Sequence, residues 1–140
     1  MAQILLVEDD IDQSEQYSTF LRSNDGGSHI VETAQSATTA VKMASKKRYD
    51  LVLLDIMMSY FPEDEANEEI DDHKVDYGRK MGLYVYSKIC ELPTSPPIAL
   101  ISVVRESTIL AEFPLVVGYL SKYFTLEDLR KSVLQWLKLR

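Results

Sequence analysis

The stretch Asp50-Leu-Val-Leu-Leu-Asp55-Ile-Met-Met58 decides how this chain is read. Its four consecutive apolar residues, Leu51 to Leu54, are too few for a helix and suit a strand buried on both faces. The run ends on a carboxylate, Asp55. In an open α/β sheet, ligands and chemistry sit just beyond the carboxyl ends of parallel strands, so an aspartate there is a candidate functional group. Taken alone, it is equally well a strand-end residue capping the turn that follows.

On both sides of this strand the same alternation recurs. Ala2 to Val7 reads as an apolar strand running into Glu8-Asp9-Asp10, so acids again close a buried strand. Ile11, Tyr17, Phe20 and Leu21 follow at helical spacing, and Asn24-Asp25-Gly26-Gly27 ends that helix. His29 to Thr33 predicts a half-buried second strand, and Ala34 to Lys47 a helix whose end is basic. Beyond an acidic segment, Met81, Leu83, Val85, Tyr86, Ile89 and Cys90 support a helix that begins near Gly78 and stops before Pro93.

Pro96-Pro97 then introduce a fourth strand, Ile98 to Ser102. A short helix is expected over Glu106 to Glu112 and a fifth strand over Leu115 to Leu120. A last helix opens on Thr125-Leu-Glu-Asp128, with Leu129, Val133, Leu134, Trp136 and Leu137 as its apolar face. Five βα units in succession, joined by right-handed crossovers, imply a doubly wound parallel sheet covered by helices on both faces.

With 140 residues, 46% hydrophobic and 26% charged, the chain has the composition and length of one soluble domain. No apolar run approaches a membrane span and Met1-Ala-Gln-Ile lacks the basic region of a signal peptide, so a cytoplasmic location is expected. The single cysteine, Cys90, reads as a spectator in a helical pattern, and His29 as a structural strand residue. A net charge of -7 argues against nucleic acid as a direct partner. The whole excess lies between Tyr60 and Tyr77, where eight acids face Lys74 alone, while acids and bases balance elsewhere.

Residues far apart in sequence meet at one sheet edge in this topology. Glu8 and Asp9 follow the first strand, Asp55 the third, Ser102 ends the fourth, and Lys122 lies two residues beyond the fifth. Together they suit phosphoryl transfer to a carboxylate. A carboxylate attacks phosphorus as nucleophile, and clustered carboxylates need a hard cation such as Mg²⁺. The metal and an ammonium group stabilise the phosphoryl oxygens, and a hydroxyl hydrogen-bonds the attached group.

The set Ile4-Leu-Leu-Val-Glu-Asp-Asp10, Asp50 to Met58, Met81-Gly-Leu-Tyr-Val85, Leu100-Ile-Ser102 and Gly118-Tyr-Leu-Ser-Lys-Tyr-Phe124 resembles the receiver domain of two-component response regulators. The resemblance runs from Ile4 to about Leu137, the acidic segment excepted. It implies a CheY-like, flavodoxin-like fold with strand order 2-1-3-4-5, an order for which such a receiver is a standard example. It also implies Asp55 as phosphoacceptor, with Asp9, Asp55 and the main-chain carbonyl of Met57 holding Mg²⁺ and Glu8 acting through water. Ser102 and Tyr119 would be the switch pair, and Lys122 the ammonium at the phosphoryl group.

The implied function is that of a phosphorylation-dependent switch in a two-component or phosphorelay system. Such a protein accepts its phosphoryl group from a histidine kinase or phosphotransfer protein, and is no turnover enzyme beyond its own phosphorylation and dephosphorylation. A downstream protein partner or effector domain would be met through the face of the fourth helix, fifth strand and fifth helix. A homodimer is one form open to the activated state, and the sequence leaves open whether the receiver stands alone or belongs to a longer regulator.

Several positions depart from the family's pattern. Tyr123 and Ser59 stand where proline is usual, and because cis bonds are rare without proline the sequence leaves open whether the Lys122–Tyr123 peptide is cis. Val103 replaces a small residue beside the site, and Met57 and Val104 are apolar where water would be oriented for hydrolysis, which predicts a long-lived phosphoryl group. Gly82 follows Asp55 by 27 positions, so about 19 residues are inserted beside the site. The insertion, 59–77 within a single domain of residues 1–140, is read either as a solvated loop or as a lid or partner surface. A metal site from Asp71, Asp72, His73 and Asp76 matches no calcium-loop spacing. The departures keep one alternative function in play, a receiver-like protein-binding module regulated without phosphorylation.

Overall fold

The computed structural model describes residues 1–71, 81–103 and 111–139. Its elements are β1 (Gln3–Val7), α1 (Ile11–Arg22), β2 (Ile30–Ala34), α2 (Ala37–Lys46), β3 (Leu51–Leu54), α3 (Pro62–Glu65), α4 (Met81–Cys90), β4 (Ile98–Ser102), β5 (Gly118–Ser121) and α5 (Leu126–Leu137). The five strands form one parallel sheet in the order β2-β1-β3-β4-β5.

Side chains alternate across each strand, so one strand feeds two cores. Leu5, Val7, Val52, Leu54 and Leu100 pack with α2 and α4 on one face. Ile4, Leu6, Leu51, Leu53, Ala99 and Ile101 pack with α1 and α5 on the other. Because both faces of β1, β3 and β4 are covered, these strands read as unbroken apolar runs rather than alternating ones. Among the described residues no helix is long and apolar enough to cross a membrane.

Two boundaries differ by three residues from those the sequence predicts, and others by one. The second helix begins at Ala37 rather than Ala34, because Ala34 is still paired with Val7 in the sheet and Ser36 takes the extended cap conformation, accepting from Thr39 N–H. The fifth strand begins at Gly118 rather than Leu115. Its ladder opens with Val117 N–H donating to the Ile98 carbonyl, and the preceding Pro96 and Pro97 have no N–H to extend it. Leu115 is left 70% exposed. The Thr125–Asp128 capping box closes as read. Of the helix expected over Glu106 to Glu112, only its last two residues are described, and both are helical.

The acidic insertion overturns the solvated-loop reading over the part described, 59–71. Pro62 starts a short helix, as its fixed φ and missing N–H favour, and this helix lies against the start of α2. The Asp64 carboxylate is 1% exposed. It accepts from Thr38 N–H (2.9 Å) and Thr38 hydroxyl (2.7 Å) through one oxygen and from Phe61 N–H (3.1 Å) through the other. Glu63 takes the hydroxyl hydrogen bonds of Ser36 and Thr39, and Asn67 donates to the hydroxyls of Thr38 and Tyr84. Ile70 reaches the core. Two of the acids that appear as free charge in the sequence, Glu63 and Asp64, are here the fastening.

Candidate functional site

Parallel registration assembles the site. Val7 pairs with Leu54, so the residues that follow, Glu8 and Asp55, emerge side by side at the carboxyl edge of the sheet. Their backbones stay fixed, with Asp55 N–H on the Val7 carbonyl and Glu8 N–H on the Ala34 carbonyl. Lys122 arrives from beyond β5, its N–H bonded to the Ser102 carbonyl at 2.9 Å. Two residues later the Phe124 ring lies 5.2 Å, centroid to centroid, from Tyr17 of α1 and holds that loop down.

The side chains then converge. Lys122 Nζ donates to Glu8 Oε1 and Oε2 at 3.1 and 3.0 Å, to Asp55 Oδ2 at 3.1 Å and to Gln13 Oε1 at 2.7 Å. The second Asp55 oxygen, Oδ1, accepts the N–H of Met57 at 3.1 Å. Glu8 and Asp55 are buried, while Asp9 is half-buried at the opening. A cleft of about 220 Å³ is lined by Glu8, Asp9, Asp55 and Lys122, with Met57, Val103 and Tyr123 at its mouth.

Burial is the largest influence on Glu8, and the charge and hydrogen bond of Asp55 add to it. Lys122 offsets only part, and the Glu8 carboxyl is pushed up to about 8. For Lys122 desolvation acts downward, but the charges and hydrogen bonds of Asp55 and Glu8 outweigh it and raise the ammonium above its ordinary value. The site is thus a carboxylate pair short of positive charge, clamped by one lysine. One oxygen from each of Glu8, Asp9 and Asp55 lies within 4.8 Å of the others, an arrangement able to hold a metal ion. Three hard oxygen donors with an open side fit Mg²⁺, which keeps part of its water shell.

The remaining expected residues fall as follows. Ser102 is fully buried at the end of β4, one strand from Asp55, and does not line the cleft. Its carbonyl accepts the Tyr119 hydroxyl at 3.0 Å, so the Tyr119 ring lies half-buried and inward. Val103 and Tyr123 are 52% and 90% exposed, and stand at the rim without filling the cleft. The Lys122–Tyr123 peptide, a point the sequence leaves open, is cis. His29 serves the strand start, its Nδ1 accepting from Ala2 N–H. Cys90 is half-buried, and burial pushes its thiol up. Val104 and the possible metal ligands Asp72, His73 and Asp76 lie outside the described residues.

Sequence reasoning missed two contributors. Asp10 caps α1, accepting from Gln13 N–H at 3.1 Å, and the Asp10…Gln13 spacing is that of a capping box. In such a box the Gln side chain turns back to the cap, whereas here it turns to Lys122. The second is Ser59, whose N–H donates to Asp9 Oδ2 at 3.0 Å and ties the insertion to the acidic edge.

Comparison with known proteins agrees with this geometry. The family model of the response regulator receiver domain matches residues 4–74, and the chain belongs to that family. No curated protein matches the sequence. Similar solved structures include NtrX from Brucella abortus in complex with ATP, 22% identical with a TM-score of 0.75; the match covers 99% of this chain but only 27% of NtrX. The receiver domain of the sensor histidine kinase PA1611 from Pseudomonas aeruginosa PAO1, solved with a magnesium ion in its active site cleft, is 20% identical with a TM-score of 0.73 over 98% of each chain. The receiver domain of a LuxO repressor protein from Vibrio parahaemolyticus is 14% identical with a TM-score of 0.75, over 98% of this chain and 90% of that one. At these identities the likeness is one of fold. Fold and acidic cluster together are those of a phosphorylation-based signalling switch, which modifies itself rather than turning over a substrate.

Proposed function

We propose that Asp55 is the phosphoacceptor of this receiver, that Glu8, Asp9, Asp55 and the Met57 carbonyl hold Mg²⁺, and that Lys122 neutralises the incoming phosphoryl group. The observation that carries the reading is the buried Asp55 carboxylate, 3.1 Å from the Lys122 ammonium and beside two further acids. With phosphohistidine as donor, a carboxylate oxygen of Asp55 bonds to phosphorus as the P–N bond breaks. The electron pair of that bond leaves with an imidazole protonated on its other nitrogen. Magnesium, when bound, supplies Lewis-acid stabilisation of the phosphoryl oxygens. Lys122 supplies the same sign of charge beside the Asp55 carboxylate.

The donor in this reading is a histidine kinase or phosphotransfer protein, as the family and its kinase-borne relative support. A phosphoryl group on Asp55 competes for Lys122 and offers Ser102 a new acceptor. Movement of Ser102 would draw on the carbonyl that holds Tyr119, and so bias β5 and the helices flanking it toward a partner or effector domain, or toward a second copy. Residues 1–140 form one receiver unit in which 59–77 is an insertion. Intact-mass analysis after incubation with acetyl phosphate and Mg²⁺ tests the assignment. Wild type should gain one phosphoryl group and Asp55→Asn none; absence of label in both would instead support a module regulated without phosphate.

A further inference from the structure

The acidic edge is held unevenly. Glu8 is clamped by Lys122, and Asp55 by Lys122 and the Met57 N–H. Asp9 lies at the opening, and among the described residues the hydrogen bond that orients its carboxylate is the one from Ser59 N–H, 3.0 Å from Oδ2. That donor exists because residue 59 is serine. The family resemblance puts proline there, which has no N–H. The donor is also fixed in place on both sides. Before it, Met58 is 1% exposed and its N–H returns to the Ile56 carbonyl at 3.0 Å. After it, Asp64 fastens the insertion to Thr38 of α2.

We propose that the backbone N–H of Ser59 is a positioning group for the metal site, fixing the Asp9 carboxylate through one oxygen and linking metal occupancy to the entry of the insertion. The proposal rests on the reading of Glu8, Asp9 and Asp55 as a Mg²⁺ site. Hydrogen-bond partners of ligating carboxylates commonly change metal affinity by about 10- to 100-fold when removed. The linkage is reciprocal, so bound Mg²⁺ should in turn protect the Ser59 amide.

The test titrates Mg²⁺ calorimetrically into the full chain. Ser59→Ala keeps the N–H and should bind within about two-fold of wild type. Ser59→Pro, and replacement of residue 59 by lactic acid, which turns the Met58–Ser59 amide into an ester, both lose it and should bind about 10-fold more weakly. The ester changes one atom of the backbone, and unaltered far-UV circular dichroism in EDTA shows that it folds. In an Asp9→Ala background the ester should have no further effect. Amide exchange at residue 59 of wild type should slow when Mg²⁺ is added. Equal affinity of the ester and Ser59→Ala, or a loss in Ser59→Ala as large as that of the ester, would overturn the proposal while leaving the metal site standing. Failure of wild type to bind Mg²⁺ would overturn the site reading and the proposal with it.

Discussion

On the proposed metal site, Glu8 should make Mg²⁺ binding a proton-linked event. Burial, the Asp55 charge and the Asp55 hydrogen bond raise this carboxyl to about 8, against an ordinary 4.5. The unliganded protein therefore holds a proton on Glu8 to a higher pH than an ordinary carboxyl does. A divalent cation in the cluster favours the ionised acid, so binding should expel that proton. Calorimetry at pH 7 in two buffers of different ionisation heat should report net proton release on Mg²⁺ binding. Apparent affinity should rise about 10-fold from pH 6 to 7 and flatten above pH 8 to 9. Glu8→Gln should bind more weakly than the wild-type plateau and lose this slope.

The same shift acts on stability in the direction opposite to a salt-bridged acid. The raised value means that the folded chain holds the proton more tightly than the unfolded one, so the contribution is present below about pH 4.5 and is lost as pH rises through about 8. Added Mg²⁺ should recover stability mainly at the upper end of that window, read as a rise in urea midpoint at pH 8 that exceeds the rise at pH 6. A flat Mg²⁺ affinity between pH 6 and 9 with no proton release would refute the reasoning. It would mean that Glu8 is already ionised at neutral pH and that Lys122 alone balances the pair.

Other outcomes follow from single contacts. Asp64→Ala strands the Thr38 and Phe61 donors and should cost about 2 to 4 kcal/mol in urea denaturation, with faster proteolysis confined to the insertion; an unchanged midpoint would show that the fastening is idle. Gly82→Ala places a Cβ about 2.5 Å from the Asp55 carbonyl oxygen and from Ile56 Cα, both backbone atoms, and should destabilise by more than about 1 kcal/mol while slowing phosphorylation. Lys122→Met should abolish labelling by acetyl phosphate. Because the Lys122 ammonium is raised, its stabilising contribution in wild type should persist through neutral pH and fade only beyond the ordinary lysine range. Met57 is 39% exposed at the cleft mouth and offers an attacking water no side-chain hydrogen bond, so phosphorylated protein should persist well beyond seconds, as followed by loss of label over time.

The sheet was legible because its evidence is local. Leu51 to Leu54 and Ile98 to Ser102 are apolar runs bounded by turn residues, and their limits hold to the residue. The site was legible for a related reason: parallel topology forces strand ends together, so Glu8, Asp55 and Lys122 could be grouped before any distance was known. What escaped were contacts between segments with no shared periodicity. Gln13 carries a helix-cap spacing yet turns to Lys122, a choice made by the ammonium and not by the helix. Asp64 is of a type usually solvent-facing, and its burial is made tolerable by the N–H and hydroxyl of Thr38 at the N-terminus of α2 together with the Phe61 N–H. Pro96-Pro97 did signal a strand start, but their missing N–H groups also shorten the neighbouring strand, an effect that needs the pairing to be known.

The departures that kept a phosphate-independent reading open can now be weighed by position. Tyr123 and Val103 lie exposed at the rim, and the residues between them at the cleft floor, Asp55 and Lys122, keep their 3.1 Å contact. A long insertion could still have spread this floor, because it begins at the residues next to Asp55. It does not, since described residues on either side of it are pinned to the same strand end. The chain leaves through Met57, whose N–H is bonded to Asp55 Oδ1, and returns at Gly82, whose N–H donates to the Ile56 carbonyl at 3.0 Å. Only a residue without a side chain allows that return, with the helix backbone resting directly on Ile56. The closure entropy of a loop grows only slowly with its length, so the added residues cost little there. The insertion therefore alters what surrounds the mouth of the site and leaves Asp55, Lys122 and Glu8 in contact.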